Sequence, residues 1–135
     1  MAGIAVLQGV SHSSRSLFKI ISVLFTGGAG DGTVPGYTIS GNLIEGYSLI
    51  YVVTTPGASA AQPSAYTIPI TMDGVTLHTV TARSTTAKER YSLPLNVGTA
   101  DSLYDDVVIS PSALGVADTA LIDLIFEINT HRVLR

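Results

Sequence analysis

Near the end of the chain, Thr119 to Asn129 alternates with a period of two: Ala120, Ile122, Leu124, Phe126 and Ile128 fall on one side, Asp123, Glu127 and Asn129 on the other. Successive side chains of an extended backbone point to opposite faces, so this pattern buries one face against a core and shows the other to water. A helix would scatter the same residues around its circumference. Ile125 interrupts the polar side.

The same period returns around a turn. Tyr66 to Met72 and Val75 to Thr81 flank Asp73 and Gly74, a dipeptide that accepts the positive φ angles of a two-residue hairpin, so the two runs are expected to pair antiparallel. Tyr66, Ile68, Ile70 and Met72 share a face of the first run; Val75, Leu77, Thr79 and Thr81 share a face of the second. Composition extends the argument to the whole chain. Val, Ile, Thr, Tyr and Phe make 49 of the 135 residues, whereas Glu, Lys, Gln and Arg, the usual surface of a helix, make 12. Glycines and prolines punctuate the short apolar runs. The expectation is an all-β fold, a single antiparallel β-sandwich or small barrel of about seven or eight strands with an extended N-terminal arm.

Leu17 to Phe25 is apolar on both faces apart from Lys19 and Ser22, which makes it either a central strand or one covered on its second face by another chain. It ends in the glycine-rich stretch 27–33, expected as a flexible surface turn. Residues 34–40 read as a short edge segment, because Pro35 cannot donate to a ladder. Tyr47 to Thr54 is a further strand. Ser110 to Gly115, with serine at the cap, proline first and glycine after, reads as one helical turn. Residues 1–16 hold one charge and no sustained period, so they are set apart as the arm, with 17–130 as the sandwich and 131–135 as a C-terminal tail. On that division, removing residues 1–14 should leave the sandwich folded.

Residues that carry chemistry are sparse and scattered. The absence of cysteine excludes disulfides, thiolate zinc sites and a cysteine nucleophile. Gly27 to Gly32 lacks the lysine and following helix of a phosphate cradle, and offers one carboxylate, Asp31, where calcium needs several oxygen donors. His12, His78 and His131 have no companion at ligand spacing. Ser11, His12, Ser13 and Ser14 join hydroxyls to an imidazole without a carboxylate to orient it, and the neighbours Asp105 and Asp106 would point to opposite faces of a strand. No catalytic residue, metal, cofactor or small-molecule substrate is expected.

With 7 basic against 10 acidic residues and no basic stripe, the chain has little with which to hold nucleic acid. The uncharged stretch 46–72 is broken by Pro56, Gly57, Gln62 and Pro63, so no membrane span is expected; the start lacks the positive segment of a secretory signal, and a product of the cytoplasm is expected.

A small β domain that is 46% hydrophobic and only 13% charged should be poorly soluble unless copies of itself or a larger assembly cover much of its surface. Assembly contacts are expected at Ile4, Val6, Leu7 and Val10 of the arm, at Leu17, Ile21, Val23 and Phe25 of the first strand, and at Val133 and Leu134 of the tail. In general character the uncharged start from Met1 to Gln8, the small-residue loop from Thr55 to Gln62 and the hairpin from Tyr66 to Thr76 resemble the β-rich virion proteins of tailed bacteriophages, notably capsid decoration or cement proteins. The resemblance implies a noncatalytic homo-oligomer, a trimer by preference, seated between major capsid subunits and stabilising the shell. A tail or neck component would use the same toolkit. A carbohydrate-binding or host-adhesion module is the distant alternative, and it requires an exposed aromatic platform built from among Tyr37, Tyr47, Tyr51, Tyr66, Tyr91 and Tyr104.

Overall fold

The alternating C-terminal segment forms the middle strand of a sheet. In the computed structural model, which describes residues 3–12, 17–30, 32–57, 66–82, 88–92, 103, 105–112, 114 and 119–128, the chain runs through nine strands and one helical turn. They are β1 (Ile4–His12), β2 (Phe18–Thr26), β3 (Tyr37–Ile39), α1 (Gly41–Ile44), β4 (Tyr47–Pro56), β5 (Tyr66–Met72), β6 (Val75–Ala82), β7 (Glu89–Ser92), β8 (Val107–Ile109) and β9 (Thr119–Ile128). One sheet has the order β1-β2-β9-β4-β7 and the other β3-β8-β5-β6, with every pairing antiparallel. This is the expected antiparallel sandwich, with β1 and β8 added to the strands legible in the sequence.

The core lies between the sheets. Ile21, Val23 and Phe25 of β2, Ile122, Leu124 and Phe126 of β9, and Leu49 and Val52 of β4 come from the five-stranded side. Ile39, Ile68, Ile70, Val107 and Ile109 meet them from the other. Each is at most 1% exposed, so the inward phases of β2, β4, β5 and β9 are used up by the chain's own interior.

Asp73 and Gly74 turn the β5–β6 hairpin with φ of 53° and 76°, as their side chains permit. A register shift between Ile70 and Thr71 then changes the phase of β6. His78 lies opposite Ile70 and Val80 opposite Ile68, so Val80 is the residue that enters the core, in place of an unbroken face of Val75, Leu77, Thr79 and Thr81.

Three further expectations are corrected. Residues 4–12, expected as an arm beside the domain, are extended but also belong to the sheet, paired along β2 from Ile4 opposite Thr26 to His12 opposite Lys19. Ala5 and Val10 pack against the core. The stretch around Gly28 is knitted in: Gly3 and Gly28 both donate backbone N–H groups to the Thr33 carbonyl, at 3.0 and 2.9 Å, and Leu114 N–H donates to the Gly32 carbonyl. A Cβ on Gly3 would come within 2.1 Å of the Thr26 carbonyl oxygen, so only glycine lets the backbone approach so closely there. Finally, Ser110 and Ser112 donate to the Pro69 and Thr67 carbonyls of β5 instead of opening a helix. The one helical turn is α1, entered from Ser40, whose hydroxyl accepts from Asn42 N–H.

Because β1 closes the hydrogen-bonding edge of β2, removal of residues 1–14 strips a ladder of backbone bonds and the cover from Ala5 and Val10. The truncated chain should lose about 2–4 kcal/mol of stability, several bonds at a net of about 0.5–1.5 kcal/mol each offset by released chain entropy. A lowered urea midpoint checks this; an unchanged midpoint would place β1 outside the cooperative unit.

Candidate functional site

Opposite residues of an antiparallel pair share a face, so the outward phase of the five-stranded sheet is read from its register. Val6, Leu24, Leu121 and Thr55 form one row across β1, β2, β9 and β4. Ser11, Ile20, Ile125, Tyr51 and Ser92 form another, and Gly9, Ser22, Asp123, Val53 and Arg90 lie between the two. Phe18 stands at one margin, opposite Glu127. The result is a broad apolar surface crossed by one mixed row. Phe18 and Ile20 are 39% and 36% exposed, and Arg90 lies over the Tyr51 ring at 4.7 Å from its centre. The register shift in β1 between Leu7 and Gly9 opens a depression of about 370 Å³ on this face, floored by Ser22, Leu24 and Leu121.

The expected contact residues divide by phase. Ile4, Val6, Leu7 and Leu17 are exposed, and Val10 is half-buried opposite Ile21. Ile21, Val23 and Phe25 are fully buried between the sheets, a correction with a simple cause: they occupy the inward phase, and the exposed residues of β2 are their neighbours Phe18 and Ile20. Val133 and Leu134 lie outside the described residues. The outward apolar set of Ile20, Leu24, Leu121 and Ile125 was missed, although Ile125 already stood out as a break in the polar side of β9.

Lys19, Asp105 and Asp106 have structural partners. Lys19 lies on the inward phase of β2, where its Nζ donates to the Leu43 carbonyl of α1 and sits 4.6 Å from the centre of the Tyr47 ring. Asp106 Oδ1 accepts from Gly41 N–H at 2.7 Å, fixing the start of α1, and Asp105 Oδ1 accepts from Asp106 N–H. The paired carboxylates therefore serve a helix start. Among the described residues, no three of His, Asp and Glu come together as metal ligands, and no helix is long and apolar enough to cross a membrane.

A groove of about 460 Å³ separates the edge strands β6 and β7, with His78 on one wall and Glu89 and Tyr91 on the other. Tyr91 donates its hydroxyl proton to Glu89 Oε1 at 2.6 Å. Behind them, the hydroxyls of Thr54 and Tyr66 are enclosed in the core, neither in a well-formed hydrogen bond. Burial, with Tyr91 adding to it, pushes the Tyr66 phenol up to about 12; Thr54 offsets this only in part, and Glu89 raises it further. All five described tyrosines are buried or half-buried, so none offers the flat exposed ring of a sugar platform.

No known protein family and no curated protein matches the chain. Among solved structures, it is similar to a CBM4 structure at 11% identity and a TM-score of 0.39, over 91% of this chain and 77% of that one. It is also similar to the tobacco streak virus coat protein at 9% identity and a TM-score of 0.32, over 78% and 85% of the two chains. At such scores neither likeness bears on what this chain does.

The Tyr66 phenol predicts an alkaline weak point. Its pKa is raised on folding, so the stability held by the neutral phenol is complete below about pH 10 and is lost as the pH rises through about 12. The full loss is about 3 kcal/mol. Tyr66→Phe should remove this loss and, by deleting an enclosed unpaired hydroxyl, should leave stability unchanged or about 1 kcal/mol higher at neutral pH. Urea unfolding of both proteins at about pH 8 and about pH 11 reads the difference; parallel losses would remove Tyr66 from the alkaline transition.

Proposed function

We propose that this chain is a noncatalytic structural subunit of a virus particle, a capsid decoration or cement protein that lays the outer face of its five-stranded sheet on the shell and associates with copies of itself. The observation that carries the reading is the apolar outward phase of β2 and β9: Phe18 and Ile20 are exposed and Leu24, Leu121 and Ile125 half-buried where a solvated sheet alternates to polar residues. Covering such a face removes apolar area from water at about 25 cal/mol per Å². With only 13% of residues charged, little else in the chain keeps that face dispersed.

The setting in a particle rests on the resemblance of the uncharged start, the small-residue loop and the hairpin to phage decoration proteins. A cement protein works by binding: it adds area to the seam between shell subunits and raises the free energy needed to part them. It needs no cleft and no titrating group. A tail or neck component would present the same face to a different neighbour, whereas the sugar-binding alternative finds no exposed tyrosine among the described residues.

Readdition to particles stripped of this chain tests the reading. The wild-type chain should rebind and protect the shell from heat, while Leu24→Glu and Leu121→Glu, outward and away from the core, should fold normally and rebind at least about tenfold more weakly, since each buries an unpaired carboxylate. Wild-type protein that fails to rebind would overturn the proposal, as would variants that rebind as well as wild type.

A further inference from the structure

The two sheets leave four strands at their edges, and these differ sharply. β3 has three residues, and β7 has four with Glu89 and Arg90 among them. β6 is longer but faces β7 across the polar groove. β1 is nine residues long, and from Ile4 to Ser11 it contains neither charge nor proline. Natural edge strands are usually blunted by charge, by proline, by brevity or by a bulge, because an open row of N–H and C=O groups invites another strand. Of these devices β1 has only the bulge, between Leu7 and Gly9. That bulge leaves Ile4 to Leu7 as a regular ladder whose outer edge pairs with none of the described strands.

We infer that this edge pairs with the same edge of a second copy, antiparallel about a twofold axis through Val6. In that register Ile4 meets Gln8, Ala5 meets Leu7 and Val6 meets itself, and the pairing stops where the bulge begins. Faces match: Ala5 and Leu7 both lie on the core side, opposite Phe25 and Val23, while Ile4 and Val6 lie outward, opposite Thr26 and Leu24. Because the strand is uncharged, no like charges oppose each other when it meets its own copy. Leu7 supplies a specific reason for the occupant. It points to the core side of the sheet yet is 38% exposed, and the Ala5 side chain of the second copy is what the register sets beside it. A neutral strand of another protein would satisfy the backbone but would lack this reciprocal match.

One such edge per chain closes the contact at two copies instead of propagating a fibre. About 17 Å of overlapping edge, five residues from each copy with their flanking side chains, places the contact among small interfaces, below about 1,200 Å². The two five-stranded sheets become one of ten strands whose apolar outer faces lie on the same side. The copy number is then even, in place of the trimer that the resemblance implies. The inference extends the proposed self-association, but it stands apart from how the outer face meets a shell.

The chain has no cysteine, so single cysteines report the register without interference. Val6→Cys should oxidise quickly to a species of twice the chain's mass, because paired Cα atoms at the axis are about 4.5–5.5 Å apart, within disulfide reach. Ile4→Cys, four residues out of register with its own copy, and Val75→Cys, exposed at the hairpin tip, should not link. Light scattering on the wild-type chain should give an even multiple of 14.0 kDa. A monomer or an odd multiple overturns the twofold pairing, as does linkage of Ile4→Cys or Val75→Cys as fast as Val6→Cys. Rebinding of the chain to stripped particles reads the outer face separately, so either idea can fail alone.

Discussion

A sheet in a two-layer sandwich has one covered face, and the five-stranded sheet here has two apolar ones. Its three central strands, β2, β9 and β4, commit their inward phases to the core. The strain of this arrangement is plainest at the start of β2, where the cation is inside and the hydrocarbon outside: Lys19 is enclosed, while Phe18 and Ile20 face out. The enclosed ammonium is tolerable because the Leu43 carbonyl and the Tyr47 ring receive it, which in turn fixes α1 against β2. Asp106 holds the other end of the same turn. The short helix is thus a polar plug that lets a lysine occupy an inward position.

How much of this was legible depends on the range of the signal. β9 and the β5–β6 hairpin were readable because period and turn chemistry are local, and both lie where the residues placed them. The face of β6 was not, because the shift at Ile70 depends on how β5 also meets β8. α1 left a faint trace, Ser40 at its cap and Gly46 with φ of 85° after it, in a stretch too short for helical period to show. β1 was misjudged for a related reason. Its residues carry no alternation because an edge strand with a bulge has no single phase, and only the partner strand reveals that it pairs.

The apolar outer face was half visible. Leu17 to Phe25 was correctly read as apolar on both faces, but sequence alone cannot say which phase the opposite sheet covers, so Ile21, Val23 and Phe25 were assigned outward when they are the core. Two kinds of contact follow from what is left. The outer face offers hydrocarbon, which has no preferred direction and suits a broad, forgiving seat. The edge of β1 offers backbone donors and acceptors at fixed spacing, which define a direction and a register. In the proposed assembly, the edge sets the symmetry and the face adapts to the seat.

The pairing of β2 with β9 also governs how the chain is made. These strands lie side by side in the sheet, yet one is near the beginning of the chain and the other near its end, with Phe18 opposite Glu127 and Thr26 opposite Thr119. During synthesis, β2 can form a hairpin with β1 as soon as both leave the ribosome, but its other edge waits for the last strand to emerge. Ladders of such high sequence separation form late and slowly. For that interval the most apolar strand of the chain is exposed on both faces and along one edge. The newborn chain therefore carries an apolar, half-paired strand until its partner β9 arrives.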